Sequence, residues 1–332
     1  MKELVLVGQI PTCVIEFMNQ LKLLLLCSSR LALPTLQELI FCGQLAAVGV
    51  PVHCTEFIEE VQYKLSGTGV PLYSLEKVNL DEALCKIIRE YDIDIGLVLT
   101  FSFKISPVVF NCAKKGFYNI HPGPLPEYRG PDPVFQQIRN KEPYAAVTIH
   151  QITEELDCGP VVMIQKVHLQ PTDTYGIITL KLSLLAAMQI RTLLKLANLE
   201  IPIPIVLQDE SKAHYYKRQV GYDITINWEQ MDADDVIALM NACNPWNKGA
   251  VTRIKNKIIR LLHGVRLYNM QVQSLPGTVI GLDTLGVQIA TLHNQVIQVS
   301  FFYTDEGFVT ASMLSDIGVV IKPGDRFDNA WS

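Results

Sequence analysis

Two side chains suited to carbonyl chemistry lie two residues apart in the segment Asn119-Ile120-His121, directly before the Pro/Gly loop of residues 122–126. If residues 117–121 are extended, side chains alternate across the strand, so Asn119 and His121 share one face. An amide N–H can stabilise an oxyanion, and an imidazole can move a proton near neutral pH. The spacing therefore predicts a site for attack on a carbonyl carbon, at the strand end where open α/β sheets bind ligands.

A carboxylate that could join this pair is Asp157, in the segment Leu156-Asp157-Cys158-Gly159-Pro160. A hairpin beside the His121 strand would return Asp157 to the imidazole, where it would raise the pKa of the histidine and fix its tautomer. Gly159 and Pro160 would hold the turn. Single histidines in strand-like segments usually have structural roles, and we assign such roles to His150 and His168.

The composition is that of a folded chain forming one large domain or two smaller ones. Of 332 residues, 49% are hydrophobic and 18% are charged, which argues against general disorder. The formal net charge of -5 argues against broad electrostatic binding to nucleic acid. The eight cysteines form no CxxC pair, so we interpret them as reduced core residues of a cytoplasmic protein, without a metal site. No run approaches the roughly 18 apolar residues of a membrane helix, so no membrane partner is expected.

The elements that would position these residues follow from the hydrophobic pattern. Buried strands are predicted at 21–27, 45–52, 93–100 and 116–121, with helices at 31–41 and 81–91 between them. Pro34 places the regular start of the first helix no earlier than that residue, and Ser28-Ser29 could cap it. This alternation predicts an α/β, Rossmann-like, doubly wound and mostly parallel sheet. An antiparallel pair at 145–152 and 159–168 and a long helix at 174–199 follow.

The combined motifs resemble the 10-formyltetrahydrofolate-dependent formyltransferases. The resemblance depends on Asn119-Ile120-His121, the loop through Arg129-Gly130, and LDCGP. Residues 21–50 and 100–106 are similar to the family's first strands and folate-side loop. Residues 244–250 and 322–327 resemble the C-terminal domain of methionyl-tRNA formyltransferases, a type of domain that also follows some sugar-nucleotide formyltransferases.

The resemblance covers about residues 21–327 and implies a domain organisation. It divides the chain into an extension of unknown role (1–20), a catalytic domain with the formyltransferase fold (21–207), a polar linker (208–222) and a small β-rich, OB-like domain (223–327). A homodimer is compatible with this organisation.

The resemblance also implies roles for site residues. An amine would attack the formyl carbon of the cosubstrate 10-formyltetrahydrofolate, with no metal. Asn119 would donate to the oxyanion, His121 would move a proton, and Asp157 would tune His121 and accept the amine proton, directly or through water. Residues implied to line the pterin pocket, largely through backbone groups, are Phe103, Lys104, Ile105, Thr153, Glu154, Glu155, Leu156 and Asp157. Tyr128 and Arg129 could be loop scaffolding or substrate contacts.

The acceptor amine is less determined. Methionyl-tRNA formyltransferases carry a basic insertion after the second strand, whereas residues 51–60 here are short and acidic and would repel phosphate. We therefore favour a small primary amine, such as an amino sugar nucleotide or an amino acid derivative, with tRNA as the alternative. A set of basic residues in the C-terminal part could bind RNA or form a solvated face: Lys248, Arg253, Lys255, Lys257, Arg260 and Arg266.

Two other functions compete with transfer to an amine. One is a catalytically inactive folate-binding or regulatory module, against which the intact Asn119, His121 and Asp157 argue. The other is formyl hydrolysis, with water as acceptor. Hydrolase relatives usually carry an N-terminal regulatory domain, and residues 1–20 are too short for one.

Overall fold

The structure is a computed structural model that describes residues 21–330. The expected N-terminal extension, residues 1–20, lies outside the described residues. Two seven-stranded sheets organise the described part, one in each half of the chain. The strands of the first sheet are β1 (Leu23–Cys27), β2 (Leu45–Pro51), β3 (Leu72–Leu75), β4 (Ile95–Leu99), β5 (Phe117–His121), β6 (Tyr144–Gln151) and β7 (Val161–His168).

The first sheet has the strand order β3-β2-β1-β4-β5-β6-β7. Strands β1 to β5 are parallel, and β6 and β7 add an antiparallel edge. This arrangement confirms the predicted doubly wound, mostly parallel sheet. The chain order reverses at β1, whose neighbours are β2 and β4, so a ligand crevice is expected at the carboxyl ends of these strands.

Helices cover both faces of this sheet. They are α1 (Leu33–Phe41), α2 (Thr55–Leu65), α3 (Leu80–Tyr91), α4 (Pro107–Phe110), α5 (Pro133–Arg139) and α6 (Tyr175–Asn198). Alternate residues of β1 belong to different hydrophobic clusters, Leu25 to one and Leu24 to the other, as period-two alternation requires.

The start of α1 differs from its prediction. The helix begins at Leu33, with Pro34 in its first turn and a single turn of 3-10 helix before it. No side chain caps it. Ser28 donates instead to the carbonyl oxygen of Thr100, and the hydroxyls of Ser29 and Thr100 lie 2.9 Å apart. The two serines therefore join the ends of β1 and β4 rather than capping a helix.

The 24-residue helix α6 packs on β6 and β7 of the first sheet. Thr174 caps its first turn by accepting a hydrogen bond from the N–H of Ile177. By length and composition alone it could cross a membrane. Its face formed by Ile178, Leu182 and Ile190 is fully buried in the core, however, which is how a core helix of an α/β fold packs.

The second sheet is antiparallel and strongly curled. Its strands, preceded by helix α7 (Ala233–Ala242), are β8 (Ala250–Ile254), β9 (Lys257–Arg266), β10 (Val279–Asp283), β11 (Gly286–Ala290), β12 (Val296–Thr304), β13 (Gly307–Thr310) and β14 (Phe327–Asp328). They run in the order β10-β11-β12-β9-β8-β14, with β13 also paired to β12. This confirms the predicted small β-rich, OB-like unit.

The predicted basic surface of this unit is divided among separate partners. Lys255 pairs with Asp325 at 2.7 Å, and Arg266 pairs with Asp234. Lys248 and Arg260 both lie over the ring of Tyr303, at 4.5 and 5.5 Å from its centroid. Four of the six basic residues therefore have a partner within this unit.

The segment between the two sheets packs along the loop that follows β5. The N–H of Arg129 donates to the carbonyl of His214 at 3.0 Å, and the N–H of Tyr216 donates to the carbonyl of Arg129 at 2.9 Å. Val206 pairs with Val161 at the start of β7. The polar stretch predicted as a linker thus forms part of the wall of the site.

Candidate active site

A cleft of about 430 Å³ opens at the carboxyl ends of β1, β4 and β5, at the switch point of the sheet. Ser28, Thr100 and the residues after Thr100 form one side of it. Thr100 has a φ of 59°, which is rare for a β-branched residue and costs conformational energy. The bonds from Ser28 and Ser29 hold it in that conformation.

Asn119 and His121 both line this cleft. They lie on one face of β5, which is held between β4 and β6. His121 is only 4% exposed. The two groups for which carbonyl chemistry was predicted therefore meet at one cleft, as their spacing required.

The tautomer of His121 is determined by the loop. Its Nε2 lies 2.7 Å from the carbonyl oxygen of Tyr128. A carbonyl can only accept, so Nε2 carries the proton and Nδ1 has the free lone pair. Asp157 was expected to fix this tautomer. Its Oδ1 lies 3.7 Å from Nδ1, beyond hydrogen-bonding distance, so the Tyr128 carbonyl has that role instead.

Asp157 reaches the site from the turn between β6 and β7, as the predicted hairpin required. Its Oδ2 accepts from the N–H of Gly130 at 3.0 Å, and its Oδ1 accepts from the side-chain amide of Asn119 at 3.3 Å. The residue has a φ of 58°, a left-handed conformation that Asp tolerates better than most residues. The carboxylate is therefore aimed at the pair on β5 and is held from two sides.

The surroundings of His121 and Asp157 favour the neutral form of the imidazole and the ionised form of the carboxyl group. Burial lowers the pKa of His121 below its ordinary value of 6.5, outweighing the opposite effects of Asp157 and of the bond to Tyr128. Burial would raise the pKa of Asp157, but His121, His150 and the N–H of Gly130 together hold that pKa below its ordinary value of 3.8. At neutral pH the site thus contains a neutral imidazole beside a carboxylate. This reverses the net direction expected for the histidine.

Two glycines allow this arrangement. Gly130 has a φ of 114°, and a Cβ there would lie 2.1 Å from the carbonyl oxygen of Tyr216. A Cβ on Gly159 would lie 1.8 Å from the carbonyl oxygen of Gln151. Each glycine permits a close backbone approach that places Asp157 or its N–H donor.

Most of the implied folate-binding residues line the same cleft. Phe103, Lys104 and Ile105 line it from the segment after β4, and Thr153 and residues 155–157 line it from the turn after β6. Glu154 differs, because it lines the adjoining groove beside Lys77 rather than this cleft. Gly130 and Tyr215 also line the cleft.

Arg129 has a scaffolding role. Its guanidinium forms a bidentate pair with Glu210, at 2.6 and 3.0 Å, and also donates to Oε1 of Gln208. The amide nitrogen of Gln208 in turn donates to the carbonyl oxygens of Asp157 and Gly159. The loop after β5, the linker and the Asp157 turn are therefore joined through two side chains, Arg129 and Gln208.

His150 is a site residue that the sequence did not indicate. It was assigned a structural role, but it lines the cleft and is 2% exposed. Its Nε2 lies 3.1 Å from Nδ2 of Asn119 and 3.6 Å from Oδ1 of Asp157. Among residues 21–330, no group of three or more His, Cys, Asp or Glu side chains is arranged to hold a metal ion.

The chain is similar to formyltransferases in both halves. The model described as formyl transferase matches residues 55–189, and the model described as formyl transferase, C-terminal domain, matches residues 222–302. The methionyl-tRNA formyltransferase of Dictyoglomus thermophilum is 30% identical over 230 residues, which cover 67% of this chain and 71% of that protein. The chain therefore belongs to the formyltransferase family. Within it, the chain is an N-formyltransferase.

Solved structures show the same fold. An N-formyltransferase from Helicobacter canadensis, in complex with folinic acid and dTDP-3-aminofucose, has a TM-score of 0.64 at 15% identity, covering 84% of this chain and 98% of that one. HypX from Aquifex aeolicus, in complex with tetrahydrofolic acid, has a TM-score of 0.58 at 18% identity and covers 93% of this chain. This chain spans about half of HypX, 51% of its length.

Proposed function

We propose that this N-formyltransferase transfers the formyl group of 10-formyltetrahydrofolate to a primary amine of a small substrate, an amino sugar nucleotide or an amino acid derivative. The observation that carries the proposal is the convergence of Asn119, His121 and Asp157 at one cleft beside the loop of residues 103–105. The folate-bound structures of HypX and of the Helicobacter enzyme support a folate donor.

Each side chain has a task that its environment favours. Asn119 donates a hydrogen bond to the oxyanion that forms when the amine attacks the formyl carbon. His121, neutral because of burial, takes the amine proton at Nδ1. Asp157, ionised beside it at 3.7 Å, stabilises the imidazolium that results. The folate supplies the activated formyl group.

The rim beside β1 and β2 supports a small acceptor. Only three residues separate the end of β2 at Pro51 from the start of α2 at Thr55, so no long insertion reaches outward from there. Helix α2 carries Glu56 in its first turn, and Glu60 pairs with Arg30 at 2.8 Å. Carboxylates at this rim disfavour the phosphates of a long nucleic acid.

A second candidate acceptor is initiator methionyl-tRNA. It is favoured by the identity to methionyl-tRNA formyltransferases, 30% over 230 residues and 28% over 272 residues in the two Dictyoglomus relatives. The decisive experiment measures tetrahydrofolate release from 10-formyltetrahydrofolate, with initiator methionyl-tRNA competing against amino sugar nucleotides and aminoacyl compounds. Faster turnover with a small amine supports our proposal, and efficient tRNA formylation overturns it. Folate binding without tetrahydrofolate release for any amine would favour the inactive module. Tetrahydrofolate release in the absence of an amine would favour the hydrolase.

A further inference from the structure

His150 lies directly opposite Asn119 in the register between β5 and β6. Its ring is almost fully buried, yet it borders the cleft. Two titratable groups face it: Asp157, whose Oδ1 is 3.6 Å from Nε2, and His121, whose ring centroid is 6.5 Å away. The imidazole is therefore in contact with the oxyanion donor and lies beside the base and its carboxylate.

The tautomer of His150 follows from its backbone partner. Its Nδ1 lies 2.9 Å from the carbonyl oxygen of Gln151. A carbonyl accepts, so Nδ1 carries the proton and Nε2 has a free lone pair. That lone pair accepts a hydrogen bond from Nδ2 of Asn119 at 3.1 Å.

This bond determines which end of the Asn119 carboxamide faces the site. If the amide were flipped, its Oδ1 would face both the Nε2 lone pair and the Asp157 carboxylate, which lies 3.3 Å from the present Nδ2. Two acceptor–acceptor contacts in a buried site would be costly. One N–H of Asn119 is thus held by His150, and the other, which donates to Oδ1 of Asp157 at the longer distance of 3.3 Å, is the one that can turn to a developing oxyanion.

We propose that His150 is a positioning residue for formyl transfer, which holds the carboxamide of Asn119 with its N–H group turned towards the developing oxyanion. This inference rests on the proposed function of Asn119 as the oxyanion donor.

The test compares His150→Gln, whose amide oxygen can replace Nε2 as an acceptor, with His150→Leu, which has similar bulk and no acceptor. We expect His150→Leu to lower kcat about 10- to 100-fold, less than the roughly 100- to 1,000-fold cost of removing an oxyanion donor, with little change in KM for the folate. His150→Gln should retain most activity. Near wild-type kcat in His150→Leu, or equal loss in both variants, overturns the proposal.

A second readout does not depend on turnover. The side-chain NH₂ signals of Asn119, assigned by their loss in Asn119→Asp, should exchange slowly with solvent in wild type and His150→Gln and faster in His150→Leu. Equal exchange in all three proteins overturns the positioning role. If the wild type released no tetrahydrofolate with any amine, the proposed function would be contradicted. The exchange of the Asn119 side-chain protons would then still decide whether His150 holds Asn119.

Discussion

The amide nitrogen of Gln208 donates a hydrogen bond to the backbone carbonyl of Asp157 at 2.8 Å, although the two residues are 51 positions apart. The same nitrogen donates to the carbonyl of Gly159 at 2.7 Å. The segment that connects the two sheets thereby holds the turn that carries the carboxylate of Asp157, the proposed partner of His121.

Replacing Gln208 with Leu should lower kcat by roughly 10-fold, because a small displacement of a catalytic group has a large effect on rate. The change removes the donors for two carbonyls and the acceptor for Arg129, so the Asp157 turn should loosen. Steady-state kinetics with a saturating acceptor would measure this fall in kcat. The matched control is Gln62→Leu, at an exposed position of α2, which should leave kcat unchanged. Equal kinetics in the two variants would contradict the role of Gln208.

His121→Ala should abolish most turnover while folate binding is kept. General acid–base groups contribute about 100- to 10,000-fold, and the loop of residues 103–105 does not depend on the imidazole. Tetrahydrofolate release and folate titration monitored by fluorescence would measure the two effects separately. His168→Ala, at an exposed position of β7, is the control and should behave as wild type. Loss of binding together with turnover would show that His121 is structural.

The pH dependence of turnover should follow the base. Because burial lowers the pKa of His121, the acid limb of the kcat profile should have its midpoint below the ordinary histidine value of 6.5. In Asp157→Asn the negative charge that favours imidazolium is gone, so the pKa of His121 should fall further. NMR titration of labelled histidine would measure this directly in both proteins. An upward movement in the variant would contradict the electrostatic role of Asp157.

Asp132, directly before α5, should lower the free energy of unfolding as the pH rises. Burial raises its pKa from 3.8 to about 6, opposed by hydrogen bonds from the N–H of Phe135 and from Tyr175. The folded state binds the proton more tightly than the unfolded state, so the contribution of this group falls as pH rises from about 4 to about 6. The pKa difference corresponds to a loss of about 3 kcal/mol at most.

Urea denaturation of wild type and Asp132→Asn across that range would measure the effect. The variant cannot ionise, so its free energy of unfolding should exceed that of wild type progressively more as the pH rises. A constant difference between the two proteins would contradict the raised pKa of Asp132.

The core of the site was predictable because its signals are local. Asn119 and His121 share a face through strand alternation alone, and one hairpin was enough to return Asp157. His150 was not predictable in the same way. Its direction depends on the register between β5 and β6, and a shift of one residue would turn it to the opposite face.

Other features depend on long-range packing. Gln208 lies in a stretch without periodicity, and only the folded path of that stretch brings it to Asp157. The net direction of the pKa of His121 likewise depends on the depth of its burial, which residue types do not reveal. The serines after β1 were interpreted as a cap because their type suits one, yet the pairing of β1 with β4 brings Thr100 to them as their actual partner.

The bond from Nε2 of His121 to the Tyr128 carbonyl has a consequence for the path of the proton. Tyr128 is buried, and its carbonyl oxygen cannot carry a proton onward. The imidazole is thus no relay between the cleft and the interior, and a proton taken at Nδ1 must leave by the face on which it arrived. In the proposed reaction, Nδ1 of His121 would therefore both take the proton of the amine and return it towards the cleft.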